Sequence, residues 1–122
     1  MSILPDFMIR NIRIADGAFL GRHVLAPWSE RTVQSGMSYG LSCAGFDIRS
    51  KQAATLEPGG CALLSSVEHF WMPDDLLARV ADKSTWARRF ICVQNTVIEP
   101  GWRGWLTLEV TNHGQHVAGG GL

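Results

Sequence analysis

Residues 105–111 alternate along the chain, with an apolar side chain at every even position and a single carboxylate, Glu109, among the odd positions. Successive side chains of a β-strand point to opposite faces of a sheet, so this run predicts a strand whose even positions face the core. Glu109 then lies on the other face, between threonines, where a carboxylate can stay ionised. Geometry alone leaves a second interpretation open, in which Glu109 is an ordinary solvent-facing side chain.

Turn-forming residues divide the rest of the chain into short segments, since 13 glycines and 5 prolines occur in 122 residues. Many short strands joined by turns are typical of an all-β barrel or jelly roll, and this length fits a single domain, 1–122. The predicted elements are strands over 61–70, 76–81, 91–98 and 105–111, a strand or turn over 38–49, an irregular stretch over 18–35, and short helices over 5–14 and 84–89.

Composition excludes several classes of protein. Hydrophobic residues make up 46% of the chain and charged residues 18%, which is typical of a globular domain. Because 11 basic and 11 acidic side chains cancel, we expect no electrostatic binding of a nucleic acid polymer. No apolar run is long enough for a membrane span, and the first residues lack the pattern of a signal peptide. Three separated cysteines predict neither disulfides nor a zinc site, so a cytoplasmic setting is expected.

Residues 82–89 read Asp-Lys-Ser-Thr-Trp-Ala-Arg-Arg, which places two hydroxyl groups at a predicted helix start. Lys83 precedes Ser84 and Thr85, and Arg88 follows them one turn later. Free backbone N–H groups at a helix start attract phosphate oxygens, and nearby cations add to that attraction. The run therefore predicts a phosphate-binding segment, although a capped surface helix would carry the same residues.

Three motifs occur in order: S-Y-G and then G-F-D-I-R within 38–49, K-S-T-W-A-R at 83–88, and E-P-G-W-R-G-W-L-T-L-E at 99–109. Together they resemble the dCTP deaminase branch of the dUTPase-like superfamily. The resemblance implies a distorted β jelly roll, the β-clip barrel of dUTPase-like proteins, assembled as a homotrimer with active sites at subunit interfaces. It also implies hydrolytic deamination of dCTP to dUTP and ammonia, with Mg²⁺ bound through the substrate triphosphate.

The resemblance further implies a site without zinc. Zinc-dependent nucleobase deaminases carry an H-x-E motif and a P-C-x-x-C motif. Neither motif occurs in this sequence, and the four histidines are scattered and are interpreted as structural or exposed. We therefore expect a carboxylate and its neighbours to activate the water, with no metal-ligand set.

The resemblance assigns roles to residues of the second and third motifs. Glu109 matches the family's catalytic glutamate, the general base that takes a proton from the attacking water. Ser84 and Arg88 match the serine and arginine beside the attacked centre. Lys83 and Thr85 join them in binding the triphosphate, for which an arginine fork is well suited.

The remaining candidate residues concern the nucleoside. Trp102 matches an aromatic residue that packs against the deoxyribose and excludes a 2′-hydroxyl; the alternative interpretation is an aromatic that only packs against the turn. Glu99 occupies the position of a sugar-contacting acid, which in dUTPases is an aspartate that activates water. Glu99 together with Glu109 favours a deaminase over a diphosphatase. Thr96, and with it Gln94, falls in the segment that reads the base.

The sequence departs from the family pattern after Asn112. The chain runs into three glycines, so neither a further strand nor the C-terminal lid over the triphosphate is expected. Asp47 and Arg49 are interpreted as a structural ion pair or a subunit contact. Three functions therefore remain: a compact or bifunctional dCTP deaminase, a dUTP diphosphatase that uses Glu99, and a nucleotide-binding or regulatory trimer with weak catalysis.

Overall fold

The computed structural model describes residues 3–15 and 17–121 and is mainly β, as predicted. No helix among these residues is long and apolar enough to cross a membrane. The helices are α1 (Asp6–Asn11) and α2 (Ser84–Ala87). The strands are β1 (Leu25–Ala26), β2 (Thr32–Gln34), β3 (Met37–Leu41), β4 (Phe46–Asp47), β5 (Ala53–Leu56), β6 (Cys61–Trp71), β7 (Ala78–Arg79), β8 (Ile91–Val93), β9 (Val97–Ile98), β10 (Arg103–Asn112) and β11 (Ala118–Gly121).

Strands β6 and β10 form the centre of an antiparallel sheet with the order β1-β6-β10-β8. Smaller sheets have the orders β2-β3-β4, β5-β11 and β7-β9. The β6–β10 register shifts between Trp105 and Thr107. There the buried Ser66 hydroxyl accepts a hydrogen bond from the Leu106 N–H (2.9 Å) and donates one to the Glu68 main-chain oxygen (2.7 Å). A buried side chain thus satisfies the backbone at the point where the ladder is irregular.

The alternation along β10 buries its even positions, as predicted. Leu106, Leu108 and Val110 are only 8%, 7% and 1% exposed and pack in the core with Leu64 and Phe70 of β6. The odd-numbered side chains of both strands point the other way. We call this surface, formed by odd residues 61–71 of β6 and 105–111 of β10, the outer face.

The chain returns to a sheet after Asn112, which corrects the expectation that no further strand follows. Ala118–Gly121 pairs antiparallel with β5. Asn112 directs this return, because its Nδ2 donates to the main-chain oxygens of Leu56 (3.0 Å) and His116 (2.9 Å) while its Oδ1 accepts from the Gly114 N–H (2.8 Å). Backbone pairing needs no particular side chain, so a glycine run without alternation concealed the strand.

Several elements are shorter than the sequence predicts. α1 ends before Ile12, which is already extended, and none of its residues is buried. α2 is one turn long, and the strand expected over 76–81 is reduced to the two residues of β7. Residues 94–96 separate β8 from β9, where a single extended run was predicted. Residues 18–35, expected to be irregular, contribute β1 and β2.

Gly40 of β3 lies where two backbone segments approach closely. Its φ is +91°, and a Cβ there would lie 2.4 Å from the Glu30 main-chain oxygen and 2.7 Å from that of Ser29. The Leu41 N–H donates to the same Ser29 oxygen (2.9 Å), which fixes the approach. We predict that Gly40→Ala lowers the free energy of unfolding by about 2–4 kcal/mol, measured by urea denaturation.

Gly36→Ala is the matched control for this prediction. Gly36 also has a positive φ, +78°, but no atom lies within 4 Å of an added Cβ. Its substitution should cost only the backbone strain, about 1–2 kcal/mol. Equal losses in the two variants would contradict the close approach at Gly40.

Candidate active site

β10 carries Glu109 on the outer face, directly opposite Leu63 of β6. The Glu109 side chain is half-buried, and its Oε2 is buried without a hydrogen-bond partner among the described residues. A buried carboxylate oxygen is costly to leave unpaired, so such an atom marks a position where another group belongs. Leu63, 73% exposed, places an apolar side chain across from it. Glu109 therefore has one carboxylate oxygen whose hydrogen-bonding capacity is used by none of the described residues.

The connection between β8 and β9 lies beside Glu109, because β8 pairs with β10. The Gln94 N–H donates to the Glu109 main-chain oxygen (3.0 Å), and the Thr96 N–H donates to that of Gln94 (2.9 Å). The side chains of Gln94 and Thr96 are both exposed. The structure thus brings the two predicted base-reading residues next to the predicted general base.

Glu99 and Trp102 stand at the two ends of the turn that leads into β10. The Trp102 N–H donates to the Glu99 main-chain oxygen at 3.2 Å. Glu99 is exposed, whereas the half-buried Trp102 packs against the core, with its ring centroid 6.3 Å from that of Phe70. Gly104 allows this packing, since a Cβ there would lie 3.1 Å from the indole. Trp102 therefore has a packing role, and its contact with a sugar stays a prediction.

α2 begins at Ser84, as predicted, so the hydroxyl groups of Ser84 and Thr85 lie in its first turn. Lys83 is the extended residue that precedes the helix. Because a one-turn helix has little macrodipole, any attraction for an anion must come mainly from side-chain cations. Arg88 follows the helix and is exposed, with no side-chain hydrogen bond to any residue in 3–15 or 17–121. The structure brings the four predicted phosphate-binding residues together around α2.

The Lys83 ammonium contacts two residues of the β3–β4 hairpin. Its Nζ lies 2.8 Å from Asp47 Oδ2 and 3.2 Å from Ser38 Oγ. The prediction that Asp47 and Arg49 pair with each other is therefore wrong, because Asp47 pairs with Lys83. Arg49 instead pairs with the fully buried Glu68, at 2.9 Å. The Arg49 main-chain oxygen accepts a hydrogen bond from the Val67 N–H (2.8 Å), which holds this segment against β6 beside Glu68. Neither Asp47 nor Arg49 is an isolated surface charge.

The site residues fall into two neighbouring groups, one around α2 and one along β8–β10. A side-chain contact joins them, because the Asp82 carboxylate, just before α2, accepts a hydrogen bond at Oδ1 from the Val93 N–H of β8 (2.6 Å). Within the described part of the chain, no hydrogen bond or ion pair connects the Glu109 carboxylate with Ser84 or Arg88. Nor do the described residues include three or more His, Cys, Asp or Glu side chains placed to hold a metal ion. The arrangement offers a carboxylate base and a cationic segment.

An aromatic groove on the outer face is a feature that the sequence analysis missed. The His69 ring centroid lies 4.1 Å from that of Trp71 and 4.5 Å from that of Trp105, which is 57% exposed. The groove has a volume of about 770 Å³, and its lining residues are Phe19, Ala26, Pro27, Val67, His69, Trp71, Arg103 and Trp105. These residues are far apart in sequence, so only the β6–β10 register could have revealed the groove.

Burial lowers the pKa of His69 below its ordinary value, because a charged imidazolium would lose contact with water. Its Nδ1 is buried without a hydrogen-bond partner among the described residues. The ring is therefore favoured in its neutral form, in which it packs as an aromatic side chain against the two tryptophans. This environment agrees with a structural interpretation of His69.

A protein-family profile described as dCTP deaminase-like matches residues 45–118. The match covers more than half of the chain and includes every predicted site residue, from Lys83 to Glu109. The chain belongs to the dCTP deaminase family. The family assignment drawn from the three motifs is thereby confirmed.

Curated relatives support the same assignment. The dCTP deaminase of Nautilia profundicola is 33% identical over 141 aligned positions, which cover 92% of this chain and 73% of the relative. The dCTP deaminases of Acidobacterium capsulatum and Ehrlichia canis are 32% and 30% identical, with 92% of this chain and 74% and 73% of the relatives covered. The aligned lengths exceed 122 residues, so the family members carry inserted residues within the aligned region.

A solved structure shows the same fold. A mutant form of the dUTPase of Staphylococcus bacteriophage 80alpha superposes with a TM-score of 0.55 at 18% identity. The superposition covers 70% of this chain and 53% of the phage enzyme. The distorted jelly roll of dUTPase-like proteins is thus confirmed for this member of the dCTP deaminase family.

Proposed function

We propose that this protein catalyses the hydrolytic deamination of dCTP to dUTP and ammonia without zinc, as a cytoplasmic step that supplies precursors of dTTP. The observation that carries the proposal is the buried Oε2 of Glu109, which has no partner among the described residues and lies beside residues 94–96. In a member of the dCTP deaminase family, this carboxylate matches the residue expected to act as the base.

In the proposed reaction, Glu109 accepts a proton from a water molecule that attacks the ring carbon bearing the amino group. A C–O bond forms, the C–N bond breaks, and the two protons of the water end on ring N3 and on the leaving ammonia. A general base must be ionised and within hydrogen-bond reach of that water. Leu63, opposite Glu109, places an apolar side chain beside this carboxylate. Ser84 and Arg88 stabilise the charge that develops at the attacked centre.

The α2 group binds the triphosphate in this proposal. Lys83 and Arg88 supply positive charge, and the hydroxyl groups of Ser84 and Thr85 donate hydrogen bonds to phosphate oxygens. Mg²⁺ enters as part of the substrate, bound to the triphosphate. The short helix supports this assignment because Ser84 and Thr85 lie in its first turn, with Lys83 directly before it and Arg88 directly after it.

The β8–β10 group binds the nucleoside. Thr96 and Gln94 read the base from the connection beside Glu109, and Glu99 contacts the sugar. Trp102 lies against the deoxyribose, where its bulk opposes a 2′-hydroxyl. The packing of this indole against the core supports the role, because a rigid side chain discriminates better by shape than a mobile one.

We further propose that the protein is a homotrimer whose subunits meet at the outer face. Two large apolar side chains are exposed on it: Leu63, at 73%, lies opposite Glu109, and Trp105, at 57%, lines the aromatic groove. Exposed apolar surface on one face of a sheet is a candidate for an interaction surface. The same face carries the half-buried Glu109, so a neighbouring subunit would bring its own α2 towards this carboxylate. A head-to-tail contact of this type closes into a ring.

Trp105→Glu should convert the trimer to monomers at micromolar concentration, because a carboxylate cannot be buried in the aromatic groove without a partner. Sedimentation velocity measures the change directly. Val33→Glu is the control, since Val33 is 66% exposed on β2, away from the outer face. A trimeric Trp105→Glu protein, or a wild-type monomer, would contradict the proposed interface.

Product release from dCTP and from dUTP distinguishes the proposed deaminase from a diphosphatase and from a nucleotide-binding protein. Ammonia release from dCTP is measured in the presence of Mg²⁺, with and without a zinc chelator. Chelator-insensitive release from dCTP, with little release from CTP, would support the proposal. Release that stops with the chelator would contradict the zinc-free site. Diphosphate release from dUTP without ammonia would identify a diphosphatase that uses Glu99, and no turnover at all would favour a binding protein.

A further inference from the structure

Two residues of a distant hairpin hold the Lys83 ammonium group in place. The Lys83 Nζ donates hydrogen bonds to Asp47 Oδ2 (2.8 Å) and Ser38 Oγ (3.2 Å), and the Ser38 hydroxyl donates to the same Asp47 oxygen (3.3 Å). Ser38 belongs to β3 and Asp47 to β4, so these contacts join the β3–β4 hairpin to the residue that precedes α2. We call Ser38 and Asp47 the lysine clamp.

The clamp leaves the ammonium able to bind an anion. An ammonium group has three N–H donors, and the two clamp contacts use two of them. A phosphate oxygen can therefore accept the third without breaking either contact. The ion pair is also partly shielded, since the side chains of Lys83 and Asp47 are 29% and 33% exposed. The carboxylate thus holds the lysine without competing for all of its donors.

The clamp also fixes the conformation of the Lys83 side chain before a ligand binds. A lysine side chain has four rotatable bonds, and fixing them during binding costs conformational entropy. In this protein the conformational entropy is lost during folding rather than during binding, because Ser38 and Asp47 already fix the position of the Lys83 Nζ. The gain should exceed the repulsion between Asp47 and an incoming anion, since the ammonium lies between them and the Ser38 hydroxyl draws charge from the carboxylate.

We propose that Asp47 and Ser38 are positioning residues for nucleotide binding, which hold the Lys83 ammonium at the start of α2 where it receives a phosphate group. This inference rests on the proposed function, in which Lys83 binds the triphosphate of dCTP. Asp47 and Ser38 do not touch the reacting atoms and act only through the lysine.

A double-mutant cycle tests the clamp by calorimetry with two probes, magnesium dCTP and magnesium inorganic tripolyphosphate. Asp47→Asn should weaken binding of both probes about tenfold, and Ser38→Ala about threefold. Lys83→Ala should weaken it at least as much as Asp47→Asn. In the Lys83→Ala background, neither clamp substitution should weaken binding further, because both act through the missing ammonium.

Asp75→Asn is the matched control, because it makes the same charge change at an exposed position outside the site. Ser38→Ala keeps the test valid if Asp47→Asn does not fold. Unchanged or tighter binding by the clamp variants, additive losses in the cycle, or no binding of either probe by the wild type would overturn the inference. Binding with the expected losses but no deamination by the wild type would contradict only the proposed function.

Discussion

Glu109→Gln is expected to lower kcat for dCTP deamination by about 10²–10⁴-fold and to change the Kd for dCTP by less than about threefold. Glutamine keeps the size of the side chain but cannot take a proton from water. Because Oε2 is buried and lacks a partner among the described residues, an amide of the same shape should leave the packing around the side chain unchanged. Steady-state kinetics and equilibrium dialysis with dCTP measure the two quantities separately.

Glu99→Gln is the companion to this experiment, because Glu99 is an exposed carboxylate in the turn before β10. Its substitution should mainly raise KM through the lost sugar contact, with kcat largely kept. If Glu109→Gln deaminates dCTP at the wild-type rate, the assignment of the base is wrong. If the protein instead releases diphosphate from dUTP, and Glu99→Gln removes that activity while Glu109→Gln keeps it, a diphosphatase becomes the better interpretation.

Mixing two inactive variants should restore deamination. Ser84→Ala and Glu109→Gln each disable one group of site residues, and in a trimer with shared sites a mixed assembly contains some sites with both groups intact. A shared site is complete only when its α2 comes from a Glu109→Gln chain and its Glu109 comes from a Ser84→Ala chain. Random assembly of equal amounts should therefore give roughly a quarter of the wild-type activity. The two proteins are co-refolded, and ammonia release is compared with that of each variant alone.

The same mixture distinguishes a shared site from a site within one chain. The hydrogen bond from the Val93 N–H to the Asp82 carboxylate brings α2 near the β8–β10 group of the same chain. If α2 and Glu109 of one chain form the site, no mixture regains activity, and that result would contradict the shared-site arrangement. A mixture of Ser84→Ala with Arg88→Ala is the control, since both changes affect the same group and no activity should return.

The sequence pattern predicts those strands whose successive side chains alternate between the core and the opposite face of the sheet. The leucines of β10 alternate with polar residues, so the strand, its buried face and the outward position of Glu109 all follow from period-two geometry. The start of α2 at Ser84 was likewise predicted, from the two hydroxyl residues at 84 and 85, although the N-cap is Lys83 and makes no side-chain capping hydrogen bond within the described part of the chain. Glu109, Gln94 and Thr96 could be grouped only through the resemblance, and backbone pairing accounts for their proximity.

The features that escaped prediction depend on contacts between distant segments. β11 consists of a glycine-rich run, and its pairing with β5 is directed by the buried Asn112 rather than by its own side chains. The aromatic groove requires the register between His69 and Trp105. The partner of Asp47 is Lys83, 36 residues away, whereas the nearby Arg49 seemed the natural choice by sequence distance. Alternation and turn signals carry no information of this kind.

The measurement that tests the central claim most directly is the conversion of dCTP itself. Purified protein is incubated with dCTP and Mg²⁺, and the nucleotides are separated by ion-exchange chromatography. We expect a dUTP peak that grows with time, is absent with Glu109→Gln, and is accompanied by equal ammonia; dUMP with diphosphate would show the bifunctional form. Unchanged dCTP, with dUTP also intact in a parallel reaction, would contradict the proposed enzyme and leave a nucleotide-binding protein.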